Sequence, residues 1–278
     1  MKRFVLLVTG GALTLALVIA GGAGARSQAT TVRISAALNA DNETPTPKGD
    51  VAAARGTFTA ALTKSTSGAS MSWRLEFSNL SGPAVAAHIH VAARGAAGPV
   101  RVPLCAPCAS GVTGTANITA EVLEAIQTDR AYANVHTALN APGEIRDQVA
   151  VVANATAALR AKQEVPKPKG KVQRARGTFT ATVTKEGAPG RLAWRLTYSR
   201  LTGRAVAAHI HSGVRGRSGP VIVPLCSPCR TGGRGSANVS AAVLSALETG
   251  RAYVNIHTRK NAAGEVRGQI AALPLSIS

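Results

Sequence analysis

Six histidines carry most of the potential chemistry in this sequence, and they fall into one repeated pattern. His88 and His90 stand two apart in Ala87-His88-Ile89-His90, and His136 follows in Tyr132-Ala133-Asn134-Val135-His136-Thr137. His209, His211 and His257 repeat this arrangement 121 residues later, and no histidine is left over. Side chains two apart on a strand share a face. His88 and His90 thus point one way and Val85, Ala87 and Ile89 the other. Tyr132, Asn134 and His136 oppose Ala131, Ala133 and Val135, while Glu144, Arg146 and Gln148 oppose Ile145 and Val149. With the apolar sets in the core, the polar sets are expected to face outward. If the strands are neighbours, each copy carries an outer patch of three His with Asn134, Glu144, Arg146 and Gln148. The second copy supplies Asn255, Glu265 and Arg267 to the same patch.

Three neutral imidazoles converging from two strands would suit copper or zinc as a cofactor. Glu144 or Asn134 could then hold a ring nitrogen in the tautomer a metal needs. The competing expectation is a hydrogen-bond network that locks the sheet to its loops, which duplication copies as faithfully as a metal site.

The four cysteines form two Cys-x-x-Cys pairs, Cys105/Cys108 and Cys226/Cys229, each after a Val-Pro-Leu strand end. In an exported chain a local disulfide within each pair is the first expectation. A four-thiolate zinc site would need the two pairs to meet. A redox role would prefer a helix start, where Gly and Thr follow here.

These residues need a scaffold, and the chain writes it twice. Shifted by 121 positions, the sequence aligns with itself at roughly half its positions over 32–152 and 153–273. A period this long marks a tandem domain duplication rather than a solenoid. The join near Val152-Ala153-Asn154 has no Gly/Ser/Pro linker, so the domains are expected to abut closely. Short alternating runs such as Thr57–Leu62 and Ser72–Phe77, separated by Ser81-Gly82-Pro83, Gly98-Pro99 and Ala141-Pro142-Gly143, predict strands. Thr119 and Ser240 are N-cap residues for one short helix per copy, and Gly250 suits the end of the second. The fold class is mostly β: two tandem antiparallel β-sandwich or barrel-like domains, each helix crossing one end.

Met1-Lys2-Arg3, an apolar run over Phe4–Ala20 and Ala23-Gly24-Ala25 read as a secretory signal over residues 1–25. The expected location is therefore extracytoplasmic, with no membrane-spanning segment left after cleavage. The formal net charge of +19 includes a dense run of seven basic residues and one Glu over Arg160–Arg176. Such charge favours anionic cell-wall polymers, polysaccharides or lipid headgroups as partners. With only 3% aromatic residues there is no stacking platform to pair with it, so nucleic acid is not expected. There is no Ser-His-Asp arrangement, phosphate loop or paired-carboxylate motif, hence no catalytic residue and no enzyme is expected.

The combined motifs resemble the CHRD domain, named from chordin and found in many exported microbial proteins. They are Ala87–His90, Gly98-Pro99-Val100, Tyr132–Thr137 and Gly143–Gln148, with Ala208–His211, Gly219-Pro220-Val221, Tyr253–Thr258 and Gly264–Gln269 in the second copy. The resemblance implies a β-rich extracellular domain, and the chain as a whole is read as a secreted protein acting in binding or structure at the cell surface. Asp147 departs from it, because the second copy has Gly268 there and the family usually has Gly, so a distorted bend is expected in the first domain. The His-x-His strand is also similar to that of copper–zinc superoxide dismutases, but no counterpart of their metal-bridging His is present. Dismutase activity is not expected.

Overall fold

The computed structural model describes residues 30–65, 68–187 and 189–276; the segment read as an export signal lies outside them. The first copy runs β1 (Thr30–Asn39), β2 (Arg55–Ser65), β3 (Gly68–Ser78), β4 (Ala84–Val91), β5 (Val100–Cys105) and β6 (Val112–Ile118). Helix α1 (Ala120–Gln127), β7 (Ala131–Thr137) and β8 (Ile145–Gln148) complete it. The second runs β9 (Ala150–Arg160), β10 (Arg176–Lys185), β11 (Gly190–Ser199), β12 (Ala205–Ser212), β13 (Val221–Cys226) and β14 (Gly233–Val239). It closes with α2 (Ala241–Glu248), β15 (Ala252–Thr258) and β16 (Val266–Ile270). Every ladder is antiparallel.

Each copy folds into two layers. In the first, β6-β3-β2-β1 form one layer and β5-β4-β7-β8 the other. β1 turns the corner between them, pairing β2 along its whole length and β8 at Asn39. Alternation then sends Phe58, Leu62, Met71 and Leu75 inward from one layer, and Ile89, Val102, Val135 and Ile145 from the other; all are buried. Helix α1 carries the chain between layers, its Thr119 Oγ1 accepting from Val122 N–H at 3.3 Å. Ser240 caps α2 in the same way at 3.4 Å. Among the described residues no helix is long and apolar enough to cross a membrane.

The join between the copies is a strand. Ala150–Val152 of β9 pair Ser35–Arg33 of β1, and from Val151 to Arg160 the same strand pairs β10. The sequence boundary at 152/153 thus falls inside β9, which makes β6-β3-β2-β1-β9-β10-β11-β14 one continuous sheet.

Two expectations change. Val85 is 43% exposed rather than in the core, because a bulge between Ala84 and Ala86 takes it out of register. Asp147 introduces no bend: β8 pairs β7 in the register that β16 keeps with β15. Its side chain turns outward to Arg94 at 2.9 Å. Gly268 is needed for a different reason, since a Cβ there would stand 2.8 Å from the Ala158 carbonyl oxygen.

Cys105–Cys108 and Cys226–Cys229 are disulfides. They close β5 and β13, which lie at opposite ends of the strand order, so their sulfurs do not form one zinc site.

Candidate metal centre

The β4-β7-β8 ladder places the polar residues in rows. His88 lies opposite Asn134, itself opposite Arg146; His90 lies opposite Tyr132, itself opposite Gln148; Ala86 pairs His136. The polar sets do share one face, with Ala87, Ile89, Ala133, Val135 and Ile145 behind it in the core. That face is not solvent-exposed, however: every residue of β7 is buried, and so are His90, Arg146 and Gln148. Distant backbone covers it. Arg146 Nε donates to Asn42 O at 2.7 Å and its Nη1 to Ala96 O at 3.1 Å. Gln148 Nε2 donates to Ala92 O and Asp129 O. Only His88 reaches the rim, half-buried.

Backbone carbonyls determine the histidine tautomers. A carbonyl only accepts, so His90 Nδ1–H donates to Gly98 O and His136 Nδ1–H to Ala141 O, both at 2.9 Å. Each Nε2 therefore carries a lone pair rather than a proton. His88 Nδ1 lies 3.1 Å from His136 Nε2, and His90 Nε2 is buried with no hydrogen-bond partner. The ligating atoms of the three rings all lie within 4.8 Å of one another. Two imidazole nitrogens bound at ~2.0–2.1 Å to one ion stand roughly 3 Å apart, so the His88–His136 pair already has ligand spacing. Moving the His88 proton from Nδ1 to Nε2 would leave one unprotonated nitrogen on each of the three rings within this cluster.

The second copy reproduces these details. His209 Nδ1 to His257 Nε2 is 3.1 Å, His211 Nδ1 donates to Gly219 O and His257 Nδ1 to Ala262 O at 2.9 Å, and His211 Nε2 is again unpartnered. Burial is the main cause that lowers the pKa of all six imidazoles. His136 is pushed down to about 4, with its bond to Ala141 opposing burial and the His88 and His90 charges adding to it. Neutral rings at pH 7 are the form that binds metal.

The expected supporting residues are nearby but play other parts. Neither Glu144 nor Asn134 bonds a histidine. Glu144 accepts from Ser81 N at 2.6 Å, Thr137 Oγ1 at 2.6 Å, Asn140 Nδ2 at 2.9 Å and the Ser81 hydroxyl, pinning the turns around the site. Burial acts to raise its pKa, yet these bonds outweigh it and hold the carboxyl below the usual range. Glu265 is held likewise by Thr202, Thr258 and Asn261. Arg146 lies over Tyr132, its guanidinium carbon 4.4 Å from the ring centroid, and Arg267 lies over Tyr253 at 3.4 Å.

Glu43 and Glu164 belong to the site although their importance is not apparent from local motifs. Both are buried, and burial pushes each carboxyl up to about 7 despite the opposing bonds from Thr44 and Val165 and the charges of Arg146 and Arg267. Glu164 accepts from Asn255 Nδ2 at 3.1 Å. Gly143, with φ +144°, makes room: a Cβ there would stand 2.5 Å from both Glu43 Oε2 and Asn134 Nδ2. The duplication contains the missing signal. Of the acids in the first copy, only Glu43 and Glu144 return as acids after 121 residues.

A family model described as the CHRD domain matches the chain twice, over residues 34–149 and 155–270. No curated protein and no solved structure matches it.

Proposed function

The chain belongs to the CHRD domain family, and from that premise we propose that it is an exported binding protein whose two domains each take one copper or zinc ion. The observation that carries this reading is the unpartnered, buried Nε2 of His90, and of His211, within a trio of imidazoles whose candidate ligand atoms all lie within 4.8 Å of one another. A purely structural network has reason to satisfy such an atom, whereas a ligand keeps its lone pair free. The disulfides and the apolar N-terminal segment support a location outside the cytoplasm. The ligand-like histidine geometry supports a binding role.

The test is Cu(II) and Zn(II) titration of the chain, read by calorimetry. Two equivalents are expected, with one lost in His88→Ala/His90→Ala/His136→Ala and the other in His209→Ala/His211→Ala/His257→Ala. Unchanged stoichiometry in both variants, or no uptake by the parent, would overturn the reading.

A further inference from the structure

The two copies are alike inside and unlike outside. The buried polar residues Glu43, His90, Tyr132, Asn134, His136, Glu144, Arg146 and Gln148 all recur, yet the surface charge does not. Residues 32–152 hold nine basic and nine acidic side chains, and residues 153–273 hold twenty basic and four acidic. Two of those four acids, Glu164 and Glu265, are buried. The excess positive charge thus belongs to the second domain. Folding does not require it, because the first domain builds the same sheet without it.

On the outer face of β9-β10-β11-β14 this charge has a definite arrangement. Thr156, Thr180, Arg195 and Arg234 form one cross-strand row of exposed side chains. Arg195 and Arg234 lie directly opposite each other, and neither has an acid in salt-bridge reach among the described residues. Like charges directly opposite on a sheet are destabilising. The first copy avoids this: Arg74 there faces Thr113 and is neutralised by Glu76 at 2.6 Å. Around the arginine pair, Thr156, Thr180 and Thr182 line a shallow trough of about 590 Å³, with Arg191 exposed one row beyond.

We propose that this trough binds an acidic polysaccharide, with sugar carboxylates between Arg195 and Arg234 and sugar hydroxyls on the threonines. Guanidinium forks suit carboxylates, and Thr hydroxyls both donate and accept. Trp194 also lines the trough but is only 8% exposed, leaving no open ring face to stack a base, and the exposed rows carry no large apolar side chain for entering a bilayer. The inference is independent of the metal reading.

The probe is polygalacturonate, titrated into the full chain at low and high salt. Binding that weakens with salt is expected, reduced about tenfold or more in Arg191→Ser/Arg195→Thr/Arg234→Thr, which corresponds to ~1.4 kcal/mol or more. Removing three exposed arginines elsewhere on the same domain, Arg204→Ser/Arg251→Ser/Arg259→Ser, should leave affinity within about threefold. Melting curves check that each variant folds; if the first triple does not, the single Arg234→Thr, which installs the first copy's own residue, must still weaken binding. Equal losses in the two triples would overturn the trough in favour of diffuse charge. Tight binding of single-stranded DNA or phosphatidylglycerol vesicles without binding of polygalacturonate would overturn the polysaccharide.

Discussion

His90 lies stacked on Tyr132, the two rings 5.0 Å apart between centroids and 13° from parallel. Both residues also bond Gly98: its N–H donates to the Tyr132 hydroxyl at 3.0 Å, and its carbonyl takes the His90 Nδ1 proton. One residue therefore holds the ring of His90 and, through Gly98, its tautomer. His211, Tyr253 and Gly219 repeat this. Tyr132→Ala should weaken metal uptake by the first domain about 10–100-fold. Tyr132→Phe keeps the stack and loses only the bond to Gly98, so its loss should be smaller. Calorimetric titration in a background lacking the second trio separates the two, and an unaltered affinity in Tyr132→Ala would remove the stack's supporting role.

Glu144 accepts hydrogen bonds on both oxygens, from the Ser81 N–H on one and from Thr137 and Asn140 on the other. In Glu144→Gln an amide NH₂ replaces one acceptor and faces Ser81 or Thr137 and Asn140. The expected loss is about 2–4 kcal/mol in urea denaturation. A change below about 1 kcal/mol would show that the turns hold without the carboxylate.

The pH dependence of stability should contain two opposing slopes. Glu43 and Glu164 have folded pKa values of about 7 against an ordinary 4.5, so the folded state keeps protons the unfolded state has lost, and stability falls as pH rises from 4.5 to 7. The histidines act oppositely. His136 has a folded pKa of about 4 against 6.5, so the unfolded state binds more protons, and stability rises with pH from 4 to 6.5. The parent should therefore show a shallow profile in metal-free buffer. Glu43→Gln/Glu164→Gln removes the first slope, and thermal melts of that variant should climb steadily from pH 4 to 6.5. A flat profile in the variant would contradict the histidine shifts.

Gly268→Asp should be far more damaging than Asp147→Gly, although each merely installs the other copy's residue. At 268 the new Cβ meets the Ala158 carbonyl oxygen at 2.8 Å and adds a carboxylate beside it. At 147 the aspartate loses its partly exposed pairing with Arg94 and the bond it accepts from the neighbouring Gln148 N–H. A loss of about 2 kcal/mol or more is expected for the first, and within about 1 kcal/mol for the second. Comparable melting temperatures for the two would refute the close-approach argument.

Arg234→Thr should stabilise the ligand-free protein by about 0.2–1 kcal/mol at low ionic strength, by removing the charge opposite Arg195. The gain should fade near about 0.5 M salt, where exposed charges are screened. Melting at two salt concentrations checks it, and a destabilised variant at low salt would count against the repulsion.

The duplication, the strands and the shared face of His88, His90, Asn134 and His136 were legible because each rests on local periodicity. Burial of that face was not, since its cover comes from afar: Arg146 bonds Asn42, 104 residues away, and Ala96, 50 away. The carbonyls that set the tautomers belong to Gly98-Pro99 and Ala141-Pro142-Gly143, legible as turns, but a turn's sequence does not say which side chain its carbonyl meets. Val85 was misplaced because Ala84–Ala87 is apolar throughout, and alternation cannot reveal a bulge in such a run. Glu43 was legible only by comparing the copies acid by acid.

Because β9 belongs to both domains, the two histidine trios are joined by hydrogen-bonded sheet with no hinge between them. Two bound Cu(II) ions would then act as fixed spin labels, and pulsed dipolar spectroscopy should return a single narrow distance, unchanged by temperature or viscosity. The molecule is a ruler, whose two marks move only if a strand breaks.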